Sequence, residues 1–368
     1  MLPVTKFYRD LHQIPELSNQ EFDTALYVED ALRSWGFSPR RVGQTGVTAD
    51  LAVGEHLPWI LLRADMDALP GEEESCAAEP SRHNGVMHSC GHDAHMAMLL
   101  AAAERLAGEK APQNIRFLFQ PAEETTQGAA QMIAHGVLPD HLLACFSLHV
   151  WPGVPLGRLA VRSGAMMASS DVYRVSISGK SAHCAQAAKG ADALRSAVSL
   201  AARLPQIKEI AEHPDTILFC GSIHSGNSHN IVPDQAALRG TIRSFSEEDR
   251  SLIKAALERE LYAVTKTFGT TGELTWDGGC PVVHNSDVLI KEMVSIFPDL
   301  MTDAAPSLAA EDFALYQQHA PGVLTWLGTG ATPPLHSSSF FVPEEILPLG
   351  QKFWESISRW DWAKAAVR

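Results

Sequence analysis

Apolar positions recur in two registers along the chain, and the points where one gives way to the other outline the fold. Near the start, Ala25, Val28, Leu32 and Trp35 fall at helical spacing behind Ser18-Asn-Gln-Glu21, and Gly36 closes the run. A serine followed three residues later by glutamate predicts an amphipathic helix entered through a capping box. Short apolar runs then alternate with helical stretches: strands over 47–53 and 59–64, a helix over 94–107, a strand over 115–119, a helix over 125–135 and a strand over 144–150. Such alternation predicts an α/β sheet covered by helices.

The register changes near Trp151-Pro-Gly-Val-Pro155. Tyr173, Val175 and Ile177 alternate with polar residues, as in a strand with one solvated face. A helix over 191–204, strands over 216–223 and 236–245, a long helix over 247–268 and a strand over 273–276 follow. After Val283 the first style returns, with a helix over 287–296, an apolar strand over 323–327 and a closing helix over 344–360. The order predicts an α/β domain made of residues 1–168 and 284–368, interrupted by an α+β domain over 169–283. A length of 368 residues fits two domains better than one. No internal repeat or low-complexity segment interrupts this plan.

Composition narrows the function classes. With 45% hydrophobic and 20% charged residues, the chain has enough apolar material for sizeable cores. Its net charge of −14 is dispersed, with no basic block, which argues against partners such as nucleic acid or an anionic membrane. The first residues show no basic stretch followed by an apolar one, and the apolar run from Met96 is broken by Glu104 and Arg105, so neither a secretion signal nor a membrane span is expected. Cys76, Cys90, Cys145, Cys184, Cys220 and Cys280 are scattered without a CxxC pair, as expected of a cytoplasmic protein.

Candidate chemistry gathers in a few places. Met87-His-Ser-Cys90-Gly-His92-Asp93-Ala-His95 concentrates three imidazoles, a thiol and a carboxylate just before a helix. Thiolate and imidazole suit borderline-soft divalent metals, and Gly91 permits a turn that lets Cys90 and His92 face one point. Glu123 and Glu124 follow a central apolar strand, His149 ends another, and Asp65 and Asp67 follow a third. Ligand sites in open α/β sheets lie beyond the carboxyl ends of strands, so these residues are candidates for one site. One carboxylate could bind metal while its neighbour reaches a water, as metal-assisted hydrolysis requires. The chain has no G-x-S-x-G elbow, phosphate loop or HExxH sequence.

At these residues the sequence resembles the M20 metallopeptidase family, in its amidohydrolase branch of aminoacylases, hippurate hydrolases and auxin-conjugate hydrolases. Arg63-Ala-Asp-Met-Asp-Ala-Leu-Pro70, Met87-His-Ser-Cys-Gly-His-Asp-Ala-His95, Gln120-Pro-Ala-Glu-Glu124, Leu148-His149, Gly179-Lys-Ser-Ala-His183, His229-Asn-Ile-Val-Pro-Asp234, Gly240-Thr-Ile-Arg243, Ala310-Glu-Asp312 and Leu335-His-Ser337 carry the resemblance. It implies a zinc-peptidase-like α/β domain holding two divalent metal ions (zinc, manganese, cobalt or nickel) on Cys90, His92, Glu124, His149 and His336, with Glu123 as general base. Asp65 and Asp67 would support the ligands. The inserted domain would supply homodimer contacts and act as a lid, His183 would steady the oxyanion, and Asn230 and Arg243 would hold the substrate. The implied reaction is hydrolysis of an N-acyl amino acid, with a dipeptidase or an N-acetyl-diaminopimelate-type deacetylase as enzymatic alternatives. A metal-dependent binding protein without turnover is the non-enzymatic alternative, and the presence of Glu123 and all five ligand-type residues counts against it.

Overall fold

In the computed structural model the described residues are 2–75 and 79–365; Cys76 lies outside them. The chain divides into two compact units, one of Met1–Met166, Val283–Pro306 and Asp312–Arg368, the other of Met167–Val282 with Ser307–Glu311. Among the described residues no helix is long and apolar enough to cross a membrane.

The first unit is built on strands β1 (Arg40–Val42), β2 (Gly46–Leu51), β3 (Trp59–Asp65), β4 (Asn114–Gln120), β5 (Leu142–Pro152), β6 (Leu159–Ala160) and β7 (Gly322–Gly330). They form a sheet in the order β1-β2-β4-β3-β5-β7-β6. Neighbours among β4, β3, β5 and β7 run parallel, and the flanking pairs are antiparallel. Every residue of β3 from Ile60 to Asp65 is buried, as expected of a central parallel strand covered on both faces. Helices α1 (Pro3–His12), α2 (Phe22–Ser34) and α3 (His92–Leu106) contribute to the same core. Thirteen of the fifteen residues of α3 are buried, which explains why its sequence lacks a polar stripe.

Three local features differ from the sequence expectation. Helix α1 was not anticipated, although Pro3 in its first turn and Val4, Tyr8 and Leu11 at helical spacing are a legible signal. The capping box does not form: α2 begins after Glu21 without a side-chain cap, and Ser18 and Glu21 spend their side chains on distant partners described below. The helix expected over 125–135 runs only over Gly128–Ala134, because Ala122 and Thr126 turn the chain with φ of 54° and 55°. Gly128 fits here for a steric reason, since a Cβ would lie 1.7 Å from the Pro121 carbonyl oxygen.

In the second unit, strands Ile217–Ser225, Gln235–Ser244, Ser169–Ser178 and Thr271–Cys280 pair in that order, all antiparallel. Helices Ala193–Lys208 and Glu247–Phe268 bury Leu200, Leu204, Leu257 and Leu261 with Tyr173, Val175 and Ile177, while Arg174, Ser176 and Ser178 face solvent. Asp192 and Ser246 cap these helices by accepting from the amides of Arg195 and Asp249.

Candidate metal centre

The carboxyl ends of β3, β4 and β5 and the start of α3 deliver one cluster. Asp65 ends β3 and Asp67 follows it; β4 runs out at Gln120 and turns into Glu123 and Glu124; β5 carries His149; α3 opens on His92. Gly91 precedes α3 with φ of 89°, and a Cβ there would sit 2.4 Å from Val150 Cγ2, so a larger residue would push Cys90 and His92 away from β5. His336 arrives on a loop, its amide donating to the Ser89 carbonyl at 2.8 Å.

The imidazoles are oriented from behind. His92 Nδ1 donates to the Asp67 carbonyl at 2.8 Å and His149 Nδ1 to the Val150 carbonyl at 2.7 Å. Carbonyls only accept, so each ring commits Nδ1 to the backbone and leaves Nε2 as the nitrogen it can turn to a metal. His92 Nε2 and Glu124 Oε1 are buried with no hydrogen-bond partner among the described residues. His149 Nε2 lies 3.6 Å from Cys90 Sγ, and His336 Nε2 lies 3.4 Å from Glu124 Oε1. Ligand atoms of Cys90, Glu124 and His336 fall within 4.8 Å of one another, as do those of His92, Glu123 and Glu124, so Glu124 belongs to both groups.

His95 shares a cluster with His92, His149 and Asp65, yet both of its nitrogens are spoken for. Nδ1 donates to Asp65 Oδ1 at 2.6 Å and Nε2 accepts from the Val150 amide at 2.9 Å. It braces the strand rather than offering a lone pair. Asp65 in turn accepts from Arg63 Nη1 at 2.7 Å. The fully buried Arg63 also donates to Gln120 and Asp312, and Gln120 donates to Asp312. Asp67 accepts the amides of Glu123 and Glu124 at 3.0 and 3.1 Å and the Ser18 hydroxyl at 2.7 Å, fixing the turn that presents both carboxylates.

The electrostatics of the cluster bear on what it can hold. Burial pushes the Cys90 thiol well above its usual range, and Glu124, Glu123 and Asp65 add to the effect. Burial opposes charge on His92, but Asp65, Asp67 and Glu124 outweigh it and hold its proton up to about 10. A site that makes a thiolate this costly and draws a proton onto a buried imidazole carries excess negative charge. A divalent cation would reverse both effects, since metal binding deprotonates a coordinating thiol outright. Unpartnered His92 Nε2 and Glu124 Oε1, a thiol–imidazole–carboxylate donor set and rings oriented through their far nitrogens all fit a divalent metal.

His183, Asn230 and Arg243 belong to the second unit. His183 is exposed, pairs with Ile231 in a short ladder, and is followed by Cys184, whose amide donates to the Asn230 carbonyl at 2.9 Å. The structure thus brings His183 and Asn230 side by side. Arg243 lies on another strand and donates to the Leu308 carbonyl at 3.2 Å, with no ion pair among the described residues. Sequence reasoning quoted Arg63, His95, Gln120 and Asp312 within motifs without giving them a task, and it gave Glu21 the wrong one. Only for Arg63 and Asp312 was there a signal, a charge set in an apolar strand and a second charge far along the chain that could pair with it.

A mixed-sheet α/β unit with a buried thiol, histidine and carboxylate cluster at the ends of its parallel strands fits a metal-dependent hydrolase. Residues 61–359 match peptidase family M20/M25/M40, and the chain belongs to that family. It is a hydrolase of amide bonds. An N-acetyl-L-cysteine deacetylase of Bacillus subtilis is 36% identical over 95% of this chain and 86% of its own length. An N-acetyldiaminopimelate deacetylase of Streptococcus uberis is 32% identical over 91% of this chain and 93% of its own. The crystal structure of a dinuclear metal-binding M20 peptidase from Bacillus subtilis superposes with a TM-score of 0.83 at 32% identity, covering 96% of each chain.

Proposed function

We propose that this enzyme removes the acyl group from N-acyl amino acids, holding two divalent ions on Cys90, His92, Glu124, His149 and His336, with Glu123 as general base. The observation that carries the reading is the pair of buried, unpartnered ligand atoms, His92 Nε2 and Glu124 Oε1, beside a second carboxylate, Glu123, whose Oε2 lies 4.0 Å from the same nitrogen. Ions bound there supply Lewis acidity to the amide carbonyl and lower the pKa of a nearby water. Glu123 accepts the proton of the attacking water and passes it to the departing amine nitrogen. His183 donates to the oxyanion, Asn230 holds the substrate carbonyl, and the Arg243 fork takes the amino-acid carboxylate. The domain carrying His183 serves as lid and homodimer surface. The relatives named for N-acetyl-L-cysteine and N-acetyldiaminopimelate support an acylated amino acid as substrate, and the second of them keeps a diaminopimelate derivative as the alternative. Five described cysteines without a disulfide suit a reducing cytoplasm.

The test is metal content and hydrolysis measured side by side for wild type and Glu123→Ala, against N-acetyl, N-benzoyl and indole-acetyl amino acids. Two ions per chain with activity lost only in the variant is the expected result. Full metal with no hydrolysis by wild type would instead favour a binding protein.

A further inference from the structure

Two adjacent residues ordinarily point apart, yet Glu123 Oε2 and Glu124 Oε1 lie 4.0 and 3.9 Å from one atom, His92 Nε2. The turn that precedes them makes this possible. It is entered through Ala122 at φ of 54°, a conformation that a non-glycine residue keeps only where its surroundings hold it. What holds it is a carboxylate 101 residues away: Glu21 Oε1 accepts the Ala122 amide at 2.9 Å. The same oxygen accepts the Asn19 amide at 2.9 Å, and Oε2 accepts the Thr45 hydroxyl at 2.6 Å. Glu21 is fully buried and makes no ion pair among the described residues, an expensive placement for an acid. Burial raises its pKa, and the bonds from Thr45 and the amides oppose that rise. The other side of the turn is held by Asp67, which accepts the next two amides and is itself bonded by Ser18. Three consecutive amides are therefore held, that of Ala122 by Glu21 directly and those of Glu123 and Glu124 by Asp67, which Ser18 steadies.

We infer that Glu21 is a positioning residue for hydrolysis: by holding the Ala122 amide it sets the direction in which Glu123 presents its carboxylate. The inference rests on the reading of Glu123 as general base. Glu21→Ala would open a cavity and could unfold the unit, so the informative variants are Glu21→Gln and Glu21→Asp in the full, metal-loaded chain. Glutamine keeps an acceptor for both amides and can donate to a rotated Thr45 hydroxyl. Aspartate keeps the charge but is one methylene too short to reach both Thr45 and Ala122.

The expected result for Glu21→Asp is a kcat loss of roughly thirtyfold with KM within about twofold, because displacing a catalytic group by about 1 Å can cost up to about a hundredfold. Its metal content should be unchanged and amide hydrogen exchange over residues 121–128 faster. Glu21→Gln should stay within roughly threefold of wild type in kcat and exchange. Wild-type kcat and exchange in a folded Glu21→Asp would overturn the inference, and so would a loss that resides wholly in KM or in lost metal. If wild type hydrolyses none of the amides, the general-base reading falls on that result, whereas the exchange comparison still judges whether Glu21 holds the turn.

Discussion

Each unit buries a cluster of charges, and the two clusters close differently. In the second unit, Asp171 accepts from Arg250 at 2.6 and 2.9 Å and from Lys254 at 2.9 Å; Arg250 also donates to Glu247, whose other oxygen accepts the Val282 amide. Lys254 lies 4.1 Å above the Trp276 ring. Two acids meet two bases there. In the first unit, Asp65, Asp67, Glu123, Glu124 and the Cys90 thiol crowd a site whose nearby fixed cation, Arg63, is shared between Asp65 and Asp312. The ingredients are alike. A cluster that balances itself is structural, and one left with excess negative charge suits a cation.

The sharpest way to break that contrast is to remove the cation. A strong chelator is expected to abolish hydrolysis completely, with activity returning when divalent metal is restored, as measured by rate alongside metal analysis. Activity that survives with no metal in the protein would refute the reading of the first cluster as open.

A smaller pair of effects sharpens the comparison through stability. Arg63→Met leaves Asp65 and Asp312 buried without their cation and should cost about 3–5 kcal/mol in denaturant unfolding of the metal-free protein. Asp171→Asn should cost less, about 1–3 kcal/mol, because Arg250 and Lys254 keep 17% and 30% of their side-chain surface exposed and can turn to water. Equal losses would mean that closure at Asp171 involves more burial than the contacts account for.

How much of this was legible follows from how local each signal is. Strand ends bearing acids and histidines, and a glycine between Cys90 and His92, are written within a few residues, so both the sheet and the cluster could be read. Ser18 and Glu21 could not, because the capping-box rule is also local and it gave them a task within α2. Their partners, Asp67, Ala122 and Thr45, lie 24 to 101 residues away, beyond any periodicity. His95 was ambiguous for a related reason. Whether an imidazole is ligand or brace depends on what its second nitrogen meets, here the amide of Val150.

His12 separates closure from location, because it lies in the first unit and yet leaves no nitrogen open, its one imidazolium being held between the carboxylates of Asp93 and Glu73. Its Nδ1 meets Asp93 at 2.5 Å and its Nε2 meets Glu73 at 2.9 Å. Burial opposes its charge, but Asp93 and Glu73 prevail and hold its proton up to about 10. Among its neighbours, burial drives His88 down to about 4 and keeps the Tyr8 hydroxyl well above its usual range, so both stay neutral near pH 7. Glu73 is opposed by burial, yet His12, Ser75 and the Ser81 amide bring it down to about 2, so it stays ionised there too. The folded pKa of His12 exceeds the unfolded value of about 6.5, so its stabilisation is complete below about pH 6.5 and is lost as pH rises through about 10. Wild type should therefore exceed His12→Gln by roughly 1–2 kcal/mol near pH 6, measured by urea unfolding, with the gap closing towards pH 10. A gap that stays constant across that range would mean that His12 contributes through its shape and neutral hydrogen bonds, and closure by charge would then hold for Asp171 alone.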